Sequence, residues 1–178
     1  MKTRILSGLI MLPLLLIVYL GGKVLLAGCF LIGIAGVYEF FSGFRTVKIH
    51  PSYGIAVAAA AALYAIDLLT VRSQWYTLWV VLVVAASFLY LLFQVEKRTP
   101  NDAMVTITGI FYIIFFSYHV ALVDQINEYA FLIWLIFLTA FGTDIFAYFT
   151  GLLVGKRKLC PKISPKKTIE GSDRKSVV

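Results

Sequence analysis

The chain has 178 residues, of which 61% are hydrophobic and 14% are charged, and its formal net charge is +7. A soluble domain is about half apolar and about a quarter charged, so this composition excludes an ordinary soluble protein and indicates a polytopic membrane protein. The excess positive charge suits orientation in a membrane and binding of an anionic lipid or nucleotide. We expect no nucleic-acid partner, because the basic residues form no soluble face.

Six apolar runs follow one another along the chain, and each is near the roughly 20 residues that cross a bilayer. The first run follows Lys2 and Arg4, and we interpret it as a spanning helix and not as a cleaved leader, because no small-residue cleavage pattern follows it. Trp75, Tyr76 and Trp79 open the fourth run and predict an interfacial aromatic anchor. The sequence therefore predicts an all-α transmembrane bundle over residues 1–155, with about six spanning helices at 5–22, 24–44, 52–71, 75–94, 103–122 and 129–155.

Basic residues are distributed unevenly over the predicted loops. If the N-terminus lies inside and the helices alternate, the inner side receives twelve lysines and arginines, and the outer side receives only Lys23 and Arg72. The positive-inside rule therefore predicts that both ends of the predicted bundle lie in the cytoplasm.

Several ionisable residues lie within the apolar runs, where charge is costly and usually marks function or a partner. Glu39 and Asp67 are near predicted helix ends, so a carboxylate that reaches the interface is the simpler interpretation for each. Asp144 lies well inside the sixth run, with Tyr148 one turn further on the same face. It is either a buried hydrogen-bonded group or a functional residue. His119 in the fifth run is more simply a hydrogen-bonded buried histidine than a ligand.

A basic segment, residues 156–172, follows the sixth run, and six lysines and arginines fall within its first twelve positions. Ser164 and Pro165 fit the N-cap and the first position of a helix. Lys166 and Lys167 follow, where they oppose the helix dipole unless an anion sits at that end. Exposed N–H groups, hydroxyls and ammonium groups together suit a phosphate. A generic basic patch on acidic lipid headgroups accounts for the same charges.

The C-terminal part of the chain resembles a known enzyme family. The segments that carry the resemblance are residues 143–151, 155–156 and 161–171, the last of which reads Pro-Lys-Ile-Ser-Pro-Lys-Lys-Thr-Ile-Glu-Gly. They closely resemble bacterial phosphatidate cytidylyltransferase, also called CDP-diacylglycerol synthase. The start of the chain, residues 2–5, and the Gly21-Gly22 pair fit the same family, so the resemblance runs to about Ser172.

The resemblance implies a multi-helix enzyme of the bacterial inner membrane that joins CTP to phosphatidate, giving CDP-diacylglycerol and pyrophosphate with Mg²⁺. It implies that Asp144, Lys167 and Glu170 are catalytic candidates, with Asp144 or Glu170 orienting a lysine or a metal-bound water. The residues expected to hold phosphates or donate hydrogen bonds to them are Lys162, Ser164, Lys166, Lys167 and Thr168.

Two other functions stay open on the sequence alone. One is another CTP-dependent membrane lipid enzyme, such as a lipid kinase. The other is a transporter or membrane scaffold that binds an ion or a proton at Asp144. A homodimer is compatible with each of these functions.

The chain departs from the family pattern at its C-terminal end. The family's aspartate-rich signature and its Pro-Gly-His-Gly-Gly run are absent, and residues 173–178 take the place of the expected next apolar helix. A common sequencing adapter can encode Asp-Arg-Lys-Ser-Val-Val, so we expect a fragment with a non-native tail; a genuine short tail is the alternative. We also expect the 178-residue chain to be inactive by itself, because the downstream carboxylates that would hold Mg²⁺ are missing.

Reporter fusions test the predicted orientation. Fusions after Arg72 and after Glu128 should report the outer side of the membrane, because the basic residues are divided twelve to two in favour of the inner side. Paired phosphatase and fluorescent-protein fusions measure this. A cytoplasmic signal at either position would show that the predicted topology is wrong.

Overall fold

Helices dominate the computed structural model, which describes residues 13–69, 74–126, 128–160 and 164–169. The chain divides into two units, Met1–Gln125 and Ile126–Val178. The first unit contains α1 (13–20), α2 (Gly22–Arg45), α3 (Tyr53–Leu68), α4 (Gln74–Phe93), α5 (Pro100–Gly109), a π-helical segment (Ile110–Phe115) and α6 (Phe116–Gln125). The second contains α7 (Leu132–Leu153) and two short strands, β1 (Lys158–Cys160) and β2 (Ser164–Thr168).

The predicted fold class, a helical membrane bundle, is confirmed. Among the described residues, four helices are long and apolar enough to cross a membrane, namely Gly22–Arg45, Gln74–Phe93, the continuous helix Pro100–Gln125, and Leu132–Gly151. α3 is apolar but has only 16 residues. At about 1.5 Å per residue it covers about 24 Å, less than the roughly 30 Å hydrocarbon core. Residues 5–12 of the predicted first helix lie outside the described residues.

The core of the first unit forms where α2 packs against α6, α3 and the π-helical segment. Phe41, Leu63 and Ile114 are fully buried there. Gly109 permits the close approach of α2, because a Cβ at this position would lie 2.4 Å from the Cε1 atom of Phe41. A larger residue at position 109 would therefore force the two helices apart.

The structure contradicts the prediction that Trp79 is part of an interfacial anchor with Trp75 and Tyr76. The Trp79 side chain is buried, with only 4% of its surface exposed. The indole N–H donates a hydrogen bond of 2.8 Å to the Ala59 carbonyl, and the ring stacks on Phe115 at 6.1 Å between centroids. The aromatic run at the start of α4 thus contains one core residue, because a tryptophan can be buried when its N–H finds an acceptor.

The π-helical segment interrupts the fifth predicted helix, and no feature of the apolar pattern predicted it. Ile110 and Ile114 at either side of its first turn are fully buried, while Tyr112 is 65% exposed. A π-bulge adds a residue to the turn and so changes the face that the following helix presents. The segment therefore lets both α5 and α6 direct apolar side chains into the same core.

Two glycines make the turn between α1 and α2. Gly21 and Gly22 have φ angles of 60° and 51°, in the left-handed region that glycine adopts without strain. The Asp124 carboxylate in α6 accepts a hydrogen bond from the Gly22 N–H. The negative charge of Asp124 at the N-terminus of α2 also interacts favourably with the positive end of the helix dipole. This contact joins the start of α2 to the C-terminal part of α6.

A second polar cluster, which we call the loop clamp, joins the α2–α3 turn to the start of α5. It consists of Arg98, Asp102 and Thr106 together with the backbone of His50 and Ser52. Asp102 is 5% exposed, and its carboxylate accepts hydrogen bonds from the His50 N–H and from the Thr99 N–H, the latter at 2.7 Å.

The other members of the loop clamp complete its hydrogen bonds. Arg98 donates to the His50 carbonyl and, at 3.2 Å, to the Tyr90 hydroxyl. The Thr106 hydroxyl accepts from the Ser52 N–H at 2.9 Å and donates to the Asp102 carbonyl at 2.6 Å. The clamp thereby pairs backbone groups that no helix satisfies.

Replacement of Asp102 tests the loop clamp. Asp102→Asn keeps one oxygen acceptor but removes the charge from two hydrogen bonds, so we expect a loss of about 2 kcal/mol in the free energy of unfolding. The measurement is reversible unfolding in detergent. Asn101→Ala, at the exposed neighbouring position, is the control and should change stability by less than about 0.5 kcal/mol. Equal effects of the two variants would contradict the clamp's role.

Candidate phosphate-binding site

The basic segment forms a β-hairpin and not a helix. β1 and β2 pair antiparallel, with Lys158 opposite Thr168 and Cys160 opposite Ser164. The Ile169 N–H donates a hydrogen bond of 2.8 Å to the Arg157 carbonyl and extends the pairing. The predicted helix N-terminus at Ser164 is therefore wrong.

The residues around Ser164 explain this outcome. A capping box would have Glu or Gln at position 167, but Lys167 stands there. Thr168 and Ile169 are β-branched and favour extended backbone.

The hairpin brings the basic parts of the segment side by side. Residues 156–158 and the pair Lys166 and Lys167 lie on its two backbone arms. Residues 156–169 contain six lysines and arginines and no acidic residue. Such a concentration of positive charge attracts anions, and ammonium and guanidinium groups bind phosphate oxygens by charge-assisted hydrogen bonds.

The structure describes the predicted site residues to different extents. Ser164, Lys166, Lys167 and Thr168 belong to β2, where the backbone alone is described, whereas Lys162 and Glu170 lie outside the described residues. For Asp144, too, only the backbone is described.

Asp144 lies within α7, nine residues before its last residue, Leu153. This spacing is about 14 Å along the helix axis. α7 thus places Asp144 well away from the end of the helix at which the basic segment begins.

The carboxylates of the first unit are placed differently from one another. Asp67 accepts hydrogen bonds from the Tyr118 hydroxyl at 2.8 Å and from the Gln125 amide at 2.9 Å. Glu39 is exposed on α2 and has no hydrogen-bond or ion-pair partner among the described residues. The Nδ1 atom of His119 lies 2.7 Å from the Phe115 carbonyl, so this ring is hydrogen-bonded within its own helix.

Within the part of the chain that the structure describes, no three His, Cys, Asp or Glu residues gather as a metal-binding group. The described side chains therefore do not fit a divalent-metal site by themselves. The candidate carboxylates for such a site, Asp144 and Glu170, are not among them.

The loop clamp is the polar cluster that sequence reasoning missed. The fifth predicted helix starts at residue 103, but α5 begins at Pro100 with Asp102 as the third helical residue. A Thr-Pro-x-Asp sequence, with proline at the first helical position and a carboxylate two residues later, is a start signal that identifies this helix. Pairing of Asp102 with the distant His50 had no signal in the sequence.

Comparison with known proteins decides the family. A family model described as "Cytidylyltransferase family" matches residues 2–173. The chain belongs to the cytidylyltransferase family. It is 33% identical over 174 residues to a phosphatidate cytidylyltransferase of Staphylococcus haemolyticus, a match that covers 95% of this chain and 64% of the relative.

The chain is also similar to phosphatidate cytidylyltransferases of other bacteria. A phosphatidate cytidylyltransferase of Chlamydia pneumoniae is 28% identical over 161 residues, covering 78% of this chain and 50% of the relative. One of Aquifex aeolicus is 36% identical over 86 residues, covering 47% and 31%. The chain thus spans less than two thirds of these relatives. No solved structure matches it.

Proposed function

We propose that this chain belongs to an enzyme that transfers the cytidylyl group of CTP to phosphatidate, giving CDP-diacylglycerol and pyrophosphate. The observation that carries the proposal is the basic hairpin, which directly follows an apolar helix long enough to span a membrane. A water-soluble nucleotide and a membrane lipid can meet at such a position. The names of the matched relatives support the same reaction.

The proposed reaction is a displacement at phosphorus. An oxygen of the phosphatidate phosphate attacks the α-phosphorus of CTP, a new P–O bond forms, and the bond to the pyrophosphate leaving group breaks. Both reactants are anionic, so the protein's task is to position them and to neutralise their charge. Little covalent chemistry is required of its side chains.

The hairpin residues supply the groups that this task needs. We assign Lys162, Lys166 and Lys167 to the phosphates and the hydroxyls of Ser164 and Thr168 to neutral hydrogen bonds. Asp144, Lys167 and Glu170 are the proposed catalytic residues, with Asp144 or Glu170 orienting a lysine. These assignments rest on the family motif, and for Ser164, Lys166, Lys167 and Thr168 the position of β2 within the hairpin supports them as well.

Magnesium is the expected cofactor, and when bound it would neutralise part of the polyphosphate charge. Because the described side chains assemble no metal-binding group, we assign no step to it.

The proposed location is the bacterial inner membrane, with the hairpin on the cytoplasmic side where CTP is found. The concentration of basic residues on that side by the positive-inside rule supports this orientation.

Removal of one hairpin charge tests the site. Lys167→Gln should weaken binding of CTP to the purified chain about tenfold, because one charge-assisted phosphate contact is lost. Equilibrium binding of radiolabelled CTP in detergent at low and moderate salt measures this.

Lys97→Gln is the matched control, since Lys97 is an exposed lysine in the turn after α4 and lies outside the hairpin. It should leave the affinity unchanged. If both variants bind CTP as the unchanged chain does, the hairpin is not the nucleotide site.

A further inference from the structure

Arg45, the last residue of α2, has a guanidinium group that the protein holds in a defined position. Its Cζ atom lies 4.7 Å from the centroid of the Tyr53 ring, within the range of a cation–π interaction. The Tyr53 ring in turn packs against Tyr38 at 5.4 Å and against Phe41 at 5.2 Å between centroids. Phe41 is fully buried, so these contacts anchor Tyr53 to the core of the first unit.

The hydrogen-bond donors of Arg45 are not used within the described part of the protein. A cation–π contact supplies no acceptor to the five N–H groups of a guanidinium. Arg45 is exposed, and among the described residues its side chain makes no hydrogen bond or ion pair. The guanidinium of Arg98 also lies over a ring, that of Tyr90, but its N–H groups donate to the Tyr90 hydroxyl and to the His50 carbonyl. Arg98 thus completes a structural network, whereas Arg45 does not.

Lys48 places a second positive charge in the turn that follows α2. Its backbone N–H donates a hydrogen bond of 3.1 Å to the Arg45 carbonyl, so the two residues belong to one turn. The Lys48 side chain is exposed and has no hydrogen-bond or ion-pair partner among the described residues. Its φ angle is 63°, in the left-handed region that favours glycine and is costly for a residue with a side chain. The stability of the turn therefore does not explain a lysine at this position.

The length of α2 places this pair at the level of the lipid headgroups. α2 has 24 residues and is therefore about 36 Å long, against a hydrocarbon core about 30 Å thick. In a centred helix the Arg45 end lies about 3 Å beyond the hydrocarbon. The predicted orientation puts this end on the cytoplasmic side, where the membrane surface carries anionic lipids. Cations at this depth meet lipid phosphates.

We propose that Arg45 and Lys48 bind the phosphate group of an anionic phospholipid in the cytoplasmic leaflet. The guanidinium donates charge-assisted hydrogen bonds to the phosphate oxygens, and the Lys48 ammonium group adds a second positive charge. Because no described carboxylate neutralises the pair, a lipid with a net negative charge binds in preference to a zwitterionic lipid. The pair belongs to the first unit and shares no residue with the hairpin.

The test must resolve single residues, because other basic residues of the chain also attract anionic lipids. Nuclear magnetic resonance of the isotope-labelled chain in neutral micelles gives one Nε–H signal for each arginine, and Arg45→Lys and Arg98→Lys identify two of them. Phosphatidylglycerol should shift the Arg45 signal with an apparent affinity about tenfold higher than that of phosphatidylcholine, the effect of one charge-assisted hydrogen bond. The Arg98 signal should not move, because its N–H groups already donate within the protein. The measurement uses no CTP, so it is independent of the proposed reaction.

Two lysine variants separate lipid binding from structure. Lys48→Gly removes a charge and relieves the left-handed backbone. It should weaken phosphatidylglycerol binding at the Arg45 signal about fivefold, while the unfolding temperature stays unchanged or rises. Lys23→Gln is the matched control, since Lys23 is an exposed lysine near the opposite end of α2. It should leave the affinity unchanged.

Three results would overturn the proposal. One is an Arg45 signal that does not respond to phosphatidylglycerol or responds equally to phosphatidylcholine. Another is a Lys48→Gly variant that binds phosphatidylglycerol as the unchanged chain does. The third is an equal shift of the Arg45 signal with soluble glycerol phosphate at the same concentration, which would assign the site to a free phosphate and not to a lipid.

Discussion

A hydrocarbon solvent offers a backbone N–H or carbonyl no hydrogen-bond partner, and this constraint shapes the whole first unit. Helices satisfy it internally, so the spanning segments must be helical. The difficulty is confined to the points where the chain leaves one helix and enters another. There, side chains replace the missing partners: Asp124 accepts the Gly22 N–H, and Asp102 accepts those of His50 and Thr99.

The need for hydrogen-bond partners explains three of the five acidic residues in the first unit. Asp102 and Asp124 are structural because each closes a break between helices, and Asp67 joins α3 to α6 through Tyr118 and Gln125. Glu39 differs from these three, because it lies within α2, six residues before its end, and has no hydrogen-bond or ion-pair partner among the described residues.

The sequence predicted the helices well because apolar runs of this length have few alternatives in a membrane. It predicted their ends less well, and two similar signals show why. Thr99-Pro100 does begin a helix, since Asp102 follows as a partner for the Thr99 N–H and an apolar run comes next. Ser164-Pro165 carries the same proline signal but is followed by lysines and β-branched residues, and it forms a strand. A local start signal thus decides little without the apolar face that tertiary packing requires.

The candidate site could be predicted only in its composition. The density of basic residues after α7 is visible in the sequence, and so is the family motif, but their arrangement is not. A hairpin brings Lys158 opposite Thr168, a pairing that no sequence period indicates. For Trp79 the obstacle was similar, since burial depends on an acceptor at Ala59 that lies on another helix. The pattern of residues within one segment does not predict its contacts with distant segments.

The central claim is that this chain serves cytidylyl transfer, and a chimera tests it most directly. In the chimera, this chain replaces the matched 64% of the Staphylococcus haemolyticus relative, and the unmodified relative is the control. With CTP labelled at the α-phosphorus and phosphatidate in vesicles, the account predicts label in the lipid product and an equal amount of released pyrophosphate. Release of labelled CDP with a phosphorylated lipid would contradict it, as would a folded chimera that forms no lipid product while the relative does.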